Sequence, residues 1–493
     1  MLCSELLIQK YLEIGATSFC KYDGEYTIAL YDEEIDNLYL SNNEFGTFPL
    51  FIYNGDKHII FSNEYEPILK YVKFDKRIEI NRVAELFLFG STIGGKTFFP
   101  NINNLDPGSI LKIKCGTHSI EKTNESISIN YNRKIEDFAD EFLVHLKNAI
   151  KRRVDLFEKN TIALSGGIDS RLIISSFPNE FKGKLEVLSF KSDLLAADQD
   201  RDVLIAKEIA NLLGLNHRIE NFSNWWPLWT QEFNTDFFAN LRLRNNRYII
   251  TGHYGSELLQ GDFVHLIPKS ALDLFYQSAN FKVNKTSILK SKFFNRAIIK
   301  NKNLYSLQFG KRLNTVRNNV YNEILKQKHE NKFLSFTIEH LIRNFFSNMY
   351  GGAMGVWIMT YIFTKEMFMP FIDRNILRLL LSMPPDYLIK DNMKFYNYLF
   401  SNHLSELNGI PTSSYFGKSN STYLNYTEKG INSDSMRISN YKKAYYDCIN
   451  YLKNSELDFI NIETFSNYVG KENNQDIRTI IEFVTWVKYI NEI

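Results

Sequence analysis

The chain has 493 residues, 44% of them apolar and 23% charged, and a formal net charge of +2 at pH 7. That length and apolar share support a globular protein with a substantial core and two domains. The near-neutral balance, with no long basic tract, excludes any compositional case for a nucleic-acid or membrane-surface partner.

In chain order, the N-terminal stretch MLCSELLIQKYLEIG carries Glu5 and lacks the charged and apolar regions of a secretion signal. Cys3, Cys20, Cys115 and Cys448 show no paired CxxC spacing, which argues against a disulfide framework or a structural zinc and fits a reducing cytoplasm. The runs EYTIALYD, NLYLSNNEF, FPLFIY and HIIFSNE are β-branched and aromatic, broken by Asp, Asn and Gly. They predict short strands, and Asn103 to Lys114 adds a Pro-Gly turn leading into one more. The first domain is therefore expected to be all-β or α+β. From Ile135 the pattern changes, because Phe138, Phe142, Leu143, Leu146 and Ile150 recur at helical intervals. The domain boundary is placed there, giving 1–130 and 131–493.

Beyond that helix the chain alternates. The strand TIAL, a helix from Ser170, the strand KLEVLSF, the helix DVLIAKEIANLLGL, the strand HRIE and the strand-like RYIITGH follow one another. Strands alternating with helices predict an α/β fold with a doubly wound parallel sheet, and the part beyond about Pro268 reads as mostly helical. The apolar stretch Met349 to Phe363 is shorter than the roughly 20 residues that cross a bilayer, so it reads as a buried helix.

The most informative segment is TIALSGGIDSRLI, Thr161 to Ile173. In an open parallel sheet, ligands sit beyond the carboxyl ends of the strands, where a turn into a helix presents backbone N–H groups and a positive dipole end. Ser165, Gly166 and Gly167 occupy that place. The glycines let the backbone approach an anion, Ser165 and Ser170 offer hydroxyls, and Asp169 offers a carboxylate to a metal ion. A pyrophosphate-like ligand with Mg²⁺ suits this donor set, and no GKS or GKT follows as in a Walker loop.

SGGIDS resembles the pyrophosphate-binding loop of the PP-loop ATP pyrophosphatases. The chain from about Tyr11 onward resembles asparagine synthetases and their relatives, among them β-lactam synthetases and lasso-peptide cyclases. YDGEYTIALYD with NNEFGTFPLFIY resembles the second half of that family's glutaminase domain, and LDPGSILKI its PPGxxL turn. ITGHYGSELLQGD resembles the SGEGSDELFGGY loop, and KEMFMPFIDRNIL with LSMPPDYLIK a later signature. The resemblance implies a PP-loop synthetase domain with a helical C-terminal part, preceded by a β-rich half-glutaminase domain. It also implies ATP and Mg²⁺, with activation of a small-molecule carboxylate as an acyl adenylate and its amidation by ammonia or an amine. No nucleic acid and no membrane enters that picture; a homodimer is a further expected state.

Departures from the family pattern shape the expectations. Position 2 is Leu2, Cys3 stands one place late for a catalytic cysteine, and far fewer residues precede YDGEYTIAL than the family carries there. Asn43 replaces the Asp that resembles the family's glutamine anchor. The N-terminal domain is expected to be a structural remnant without glutamine hydrolysis.

In the synthetase part the resemblance assigns Asp169 to metal binding. The second metal Asp aligns with Ser256, with Glu257 one position on as a substitute ligand. His253 aligns with a position that in β-lactam synthetases pairs with a Glu, here Glu366, to activate the attacking nitrogen; a His beside a carboxylate suits that proton transfer. Leu188, Ser189 and Phe190 resemble the segment that meets adenine, Gly252 joins the nucleotide-binding set, and Lys418 is the candidate for the lysine that balances phosphate charge. Asp198, Asp200 and Asp202 read as biasing a helix N-terminus, and Asp373 as capping a helix. Arg242, Arg244, Arg247 and Lys269 lie near the ITGHYG loop in sequence and suit an acidic substrate. Three functions follow: an ammonia-using ligase on aspartate, the same chemistry on a polysaccharide or peptide carboxylate, and a non-catalytic ATP-binding scaffold.

Overall fold

The computed structural model describes residues 3–55, 58–63, 65–71, 77–89, 92–114, 117–123, 127–154, 160–192, 200–222, 249–259, 302–326, 367–388, 394–407, 409–410, 412, 434–455, 457–468 and 475–492. It divides into two compact units. One comprises Met1–Ser128, His265–Trp357 and Tyr445–Ile493; the other comprises Ile129–Val264 and Ile358–Ala444.

The first unit opens with the helix Cys3–Ile14. It then builds two antiparallel sheets from β1 (Thr27–Asp32), β2 (Asn37–Asn42), β3 (Phe51–Asn54), β4 (Ile59–Ser62), β5 (Ile102–Asn104), β6 (Ser109–Lys114) and β7 (Thr117–Lys122), in the orders β1-β2-β6-β7 and β4-β3-β5. Because neighbouring strand residues point to opposite faces, adjacent apolar pairs serve two cores. Tyr39 and Ile110 join Phe19 and Ile28 under Leu7 and Tyr11 of the first helix. Their neighbours Leu40 and Leu111 join Leu50, Ile52 and Leu105 on the other side.

Two helices that the strand-like reading of this region did not predict, Tyr65–Tyr71 and Ile80–Phe89, lie between β4 and β5. The second is buried almost all round, from Val83 to Phe89, as a helix enclosed on every side must be. Its Phe87 ring meets Tyr305 at 5.7 Å, Phe459 at 5.8 Å, Phe309 at 6.1 Å and Phe483 at 6.4 Å. Phe98 packs on Trp486 at 5.2 Å. The helices Leu307–Lys326 and Gln475–Glu492 thus share a core with residues from the start of the chain.

The second unit holds a five-stranded sheet of β8 (Asn160–Ala163), β9 (Leu185–Ser192), β10 (Asn216–Phe222), β11 (Ile249–Ile250) and β12 (Met367–Phe368), in the order β10-β9-β8-β11-β12. Every pairing in it is parallel. The expected α/β alternation around a parallel sheet is present; β12 is a strand that periodicity did not reveal, because two residues carry no period. Ile162 is opposite Val187 and Ile250, the β-branched interior expected of a sheet covered on both faces. The long helix spans Ile135–Val154 and buries Phe138, Phe142, Leu146 and Ile150 as its spacing predicts, with Leu143 at the margin of that face. Phe142 stacks on Phe371 at 6.3 Å and meets Phe395 edge-on at 5.6 Å.

Among the described residues no helix is long and apolar enough to cross a membrane; Met349 to Phe363 lies outside them. Cys448 is a buried free thiol. The structure is a mixed α/β protein with a β-rich N-terminal region and a parallel sheet.

Candidate functional site

The chain runs from β8 to β9 and β10 on one side, then returns to β11 and β12 on the other. In such a sheet the connections leave the two central strands in opposite directions, so a crevice opens beyond their carboxyl ends. The loop after β8 is Leu164-Ser165-Gly166-Gly167, and the loop after β11 is Thr251-Gly252-His253-Tyr254. Two stretches far apart in sequence therefore meet at the point where the strand order reverses.

Their contact is tight. A Cβ on Gly252 would lie 3.0 Å from the Ser170 backbone nitrogen and 3.1 Å from Asp169 Cβ, and one on Gly255 only 2.6 Å from Asp169 Cγ. A side chain at Gly255 would force Asp169 to move, and one at Gly252 would press on the Asp169–Ser170 backbone. Between them, Tyr254 adopts φ 68°, a left-handed conformation that is an outlier for a bulky residue. Such strain costs about 1–3 kcal/mol and gathers at ligand sites. The Tyr396 hydroxyl donates to Asp169 Oδ1 at 3.3 Å, fixing the carboxylate from a second direction.

The SGG loop is held by short polar contacts. Leu164 N–H donates to the Leu188 carbonyl at 2.8 Å, which keeps the loop's first residue in the sheet. Ser170, buried, accepts from Ser165 N–H at 3.2 Å, with the Ser165 and Gly167 carbonyls at 3.2 and 3.3 Å. Its hydroxyl is a strut inside the loop. Gly167 N–H donates to Ser165 Oγ at 3.1 Å, and Gly166 N–H donates to Asp202 Oδ1 at 3.0 Å. Gly167 is the N-terminal flanking residue of the helix Ile168–Ser176. One loop amide thus already carries an anionic oxygen, beside a helix N-terminus. That donor set fits a phosphate group. Asp169 is the described carboxylate at the loop suited to a hard cation; among the described residues no group of three or more His, Cys, Asp or Glu is placed to hold a metal ion.

The second strand turns inward. Leu188 and Ser189 are buried, and Ser189 Oγ lies 2.6 Å from the Leu164 carbonyl and 2.8 Å from His217 Nε2. A carbonyl can only accept, so the single hydroxyl proton goes there and His217 must carry its proton on Nε2. The Ser189 hydroxyl therefore braces the SGG loop, and what Leu188 and Ser189 have to offer a ligand is backbone; the Phe190 side chain lies outside what is described.

His253 keeps part of its surface exposed, yet burial pushes its imidazole down to about 4. It is neutral at neutral pH and a weaker base than an ordinary histidine. Glu366 and Lys418 lie outside the described residues, as do Arg242, Arg244, Arg247, Lys269, Asp198 and the side chains of Ser256 and Glu257. Of the neighbouring acids, Asp200 caps the helix Arg201–Leu212 by accepting from Asp202 and Val203 N–H. Asp373 caps Arg374–Ser382 and pairs with Arg152. Tyr396, Tyr254 and the Asp202 contact were missed by sequence reasoning, since each depends on a partner distant in sequence.

In the N-terminal unit, Cys3 opens a helix. Asn43 is buried and spends its side chain on its own turn: Nδ2 donates to the Gly24 carbonyl at 2.7 Å and to Thr47 Oγ1, while Oδ1 accepts from Thr47 N–H at 2.9 Å.

A glutamine amidotransferase domain model matches residues 3–124, and an asparagine synthase model matches residues 141–224. Among curated proteins, a probable glutamine-hydrolyzing asparagine synthetase of Acanthamoeba polyphaga mimivirus is 24% identical over 206 residues, 41% of this chain and 35% of that protein. A putative glutamine-hydrolyzing asparagine synthetase of Methanocaldococcus jannaschii is 28% identical over 221 residues, 44% of this chain and 36% of the relative. One from Bacillus subtilis is 24% identical over 183 residues, 34% and 24% of the two chains. The matched stretches span about a third or less of these relatives. A solved U34-tRNA thiolase from Methanococcus maripaludis aligns at 13% identity over 45% of this chain and 89% of that one, with a TM-score of 0.21. An amidotransferase match followed by an asparagine synthase match, and relatives that share both names, support an asparagine synthetase-family protein with a glutaminase-like N-terminal domain.

Proposed function

We propose that this chain is an ATP-dependent carbon–nitrogen ligase with a PP-loop synthetase fold. The reading joins a carboxylate to ATP as an acyl adenylate with release of pyrophosphate, after which ammonia or an amine attacks the acyl carbon and AMP leaves. The observation that carries it is the meeting of the SGG and ITGHYG loops at the strand-order reversal, with Asp169 wedged against Gly252 and Gly255.

In this reading Gly166 and Gly167 present N–H groups to the phosphates, and Ser165 supplies a hydroxyl at the exposed rim. Ser170 fixes the loop from within. Asp169, with Glu257 as the second carboxylate, would hold Mg²⁺, which would supply charge neutralisation at the phosphates. The backbone of Leu188 to Phe190, with Gly252, frames the base and sugar. His253, neutral at working pH, accepts the proton of the attacking nitrogen with Glu366 orienting it, and Lys418 balances the leaving charge. The N-terminal domain takes no part in glutamine hydrolysis: Cys3 sits in a helix and Asn43 is committed to its turn. The acid is aspartate or another carboxylate.

The test is pyrophosphate release from Mg-ATP and ammonium chloride, with aspartate, with a panel of uronic acids and peptide carboxylates, and with no acid. Acid-dependent release that falls by about two orders of magnitude in Asp169→Ala is the expected result. ATP binding by calorimetry with no release for any acid would move the chain to a non-catalytic nucleotide-binding role.

A further inference from the structure

Arg171 follows the SGGIDS motif on the helix Ile168–Ser176 and is wholly buried, at 0% exposure. Arginine seldom occupies such a place, and its three described hydrogen bonds show what it does there. NH2 donates to the Gly166 carbonyl at 3.2 Å; NH1 donates to the Ile410 carbonyl at 2.8 Å and to the Leu407 carbonyl at 3.3 Å. One rigid fork thus joins the SGG loop to the turn at 407–410, a use of guanidinium geometry that a lysine cannot copy. Burial draws the group down only to about 10, with Tyr396 and Glu208 pulling the other way, so it stays charged at neutral pH.

The bond to Gly166 has a geometric consequence. Within a planar trans peptide the carbonyl and the following N–H point in opposite directions. With the Gly166 carbonyl drawn inward to a buried guanidinium, Gly167 N–H is turned outward, where it finds Ser165 Oγ at the exposed rim. The preceding amide, Gly166 N–H, already holds a carboxylate oxygen of Asp202. Arg201 adds a bond to the Thr412 carbonyl at 3.1 Å, so two arginines hold the carbonyls of Leu407, Ile410 and Thr412.

We propose that Arg171 is a positioning residue of the anion loop: it holds the Gly166–Gly167 peptide with its N–H facing a phosphate oxygen, and it locks that peptide to the 407–410 turn. The phosphate half of this inference rests on the function proposed above; the mechanical half does not.

Two measurements on the full chain separate them, using wild type, Arg171→Lys and Arg171→Met. Hydrogen exchange without any ligand reads the lock. Arg171→Lys is expected to speed exchange in the peptides covering 163–168 and 405–412 together, by about tenfold, with the remaining sheet unchanged. Calorimetry with Mg²⁺ and inorganic pyrophosphate reads the loop, and Arg171→Lys is expected to bind about tenfold more weakly at an unaltered melting temperature. Should Arg171→Met fail to fold, the lysine variant decides by itself. Full pyrophosphate affinity in a folded Arg171→Lys, or loosening of only one segment, overturns the proposal. Wild type that binds neither pyrophosphate nor Mg-ATP removes the ligase reading, while the exchange experiment still decides the lock.

Discussion

The turn at Asn43 and the loop at Ser165 are both short, polar and glycine-containing, and both follow a strand. They differ in where their hydrogen bonds go. Asn43 satisfies Gly24, Thr47 and its own turn from a buried position, and its carbonyl accepts from Gly46 and Gly108 N–H. The Ser165 loop rests its outward amides on an exposed serine and on the carboxylate of Asp202, partners that a stronger acceptor can displace. The first turn is closed on itself, while the second is braced by Ser170, Ser189 and Arg171. A motif's chemistry thus depends on where its hydrogen bonds go.

The comparison makes predictions of decreasing size. The first unit should depend on its core, so Phe87→Ala, which removes a ring in contact with four others, should cost about 3–5 kcal/mol in denaturant unfolding. A loss under about 1 kcal/mol would mean that the C-terminal helices do not rely on it. In the second unit Gly255→Ala forces Asp169 aside and should lower pyrophosphate release about 100-fold with little change in melting temperature; unchanged turnover would break the link between the two loops.

Asn43→Asp sharpens the contrast from the other side. A carboxylate cannot donate, so the Gly24 carbonyl loses its partner while the Thr47 hydroxyl can turn to donate, destabilising the turn by about 1–3 kcal/mol, and no glutaminase activity should appear in an ammonia-release assay. Gain of that activity would reopen the N-terminal site.

The last effect is a pH dependence. Burial lifts Glu85 from 4.5 to about 7, outweighing Arg82 and the Ile93 N–H that pull it down. A carboxyl raised in the folded state binds its proton more tightly there, so its stabilisation is complete below pH 4.5 and lost as pH rises through 7. Unfolding midpoints across that window should decline with pH in wild type and flatten in Glu85→Gln; an equal slope in both would assign the dependence elsewhere.

How far the site could be read in advance differs by residue. The turn that carries Ser165, Gly166, Gly167 and Asp169 was legible because a strand, a glycine turn and a helix N-terminus are local patterns. Ser170 and Ser189 were legible as positions but not as struts, since the direction of a hydroxyl depends on which carbonyl lies beside it. Tyr396 and Asp202 had no local signal. The helix Ile80–Phe89 escaped for a different reason: its polar residues Asn81, Arg82 and Glu85 all precede Leu86, and Leu86 to Phe89 is a short continuous apolar run that suits a strand as well as a helix.

The sequence by itself determined the short N-terminal strands, the long helix from Ile135 and the strand–helix alternation of the parallel sheet, because backbone preference and side-chain period are short-range properties; the helices Tyr65–Tyr71 and Ile80–Phe89 and the two-residue β12 escaped it. It also put two serines, two glycines and an aspartate in and just after the turn that follows β8. Only the tertiary structure decided that β11 lies beside β8, that Asp169 rests against Gly252 and Gly255, and that Arg171 points inward beneath the loop. Those facts arise from burying an apolar sheet under helices contributed by distant segments, where close packing at one contact fixes a neighbour that no local pattern specifies.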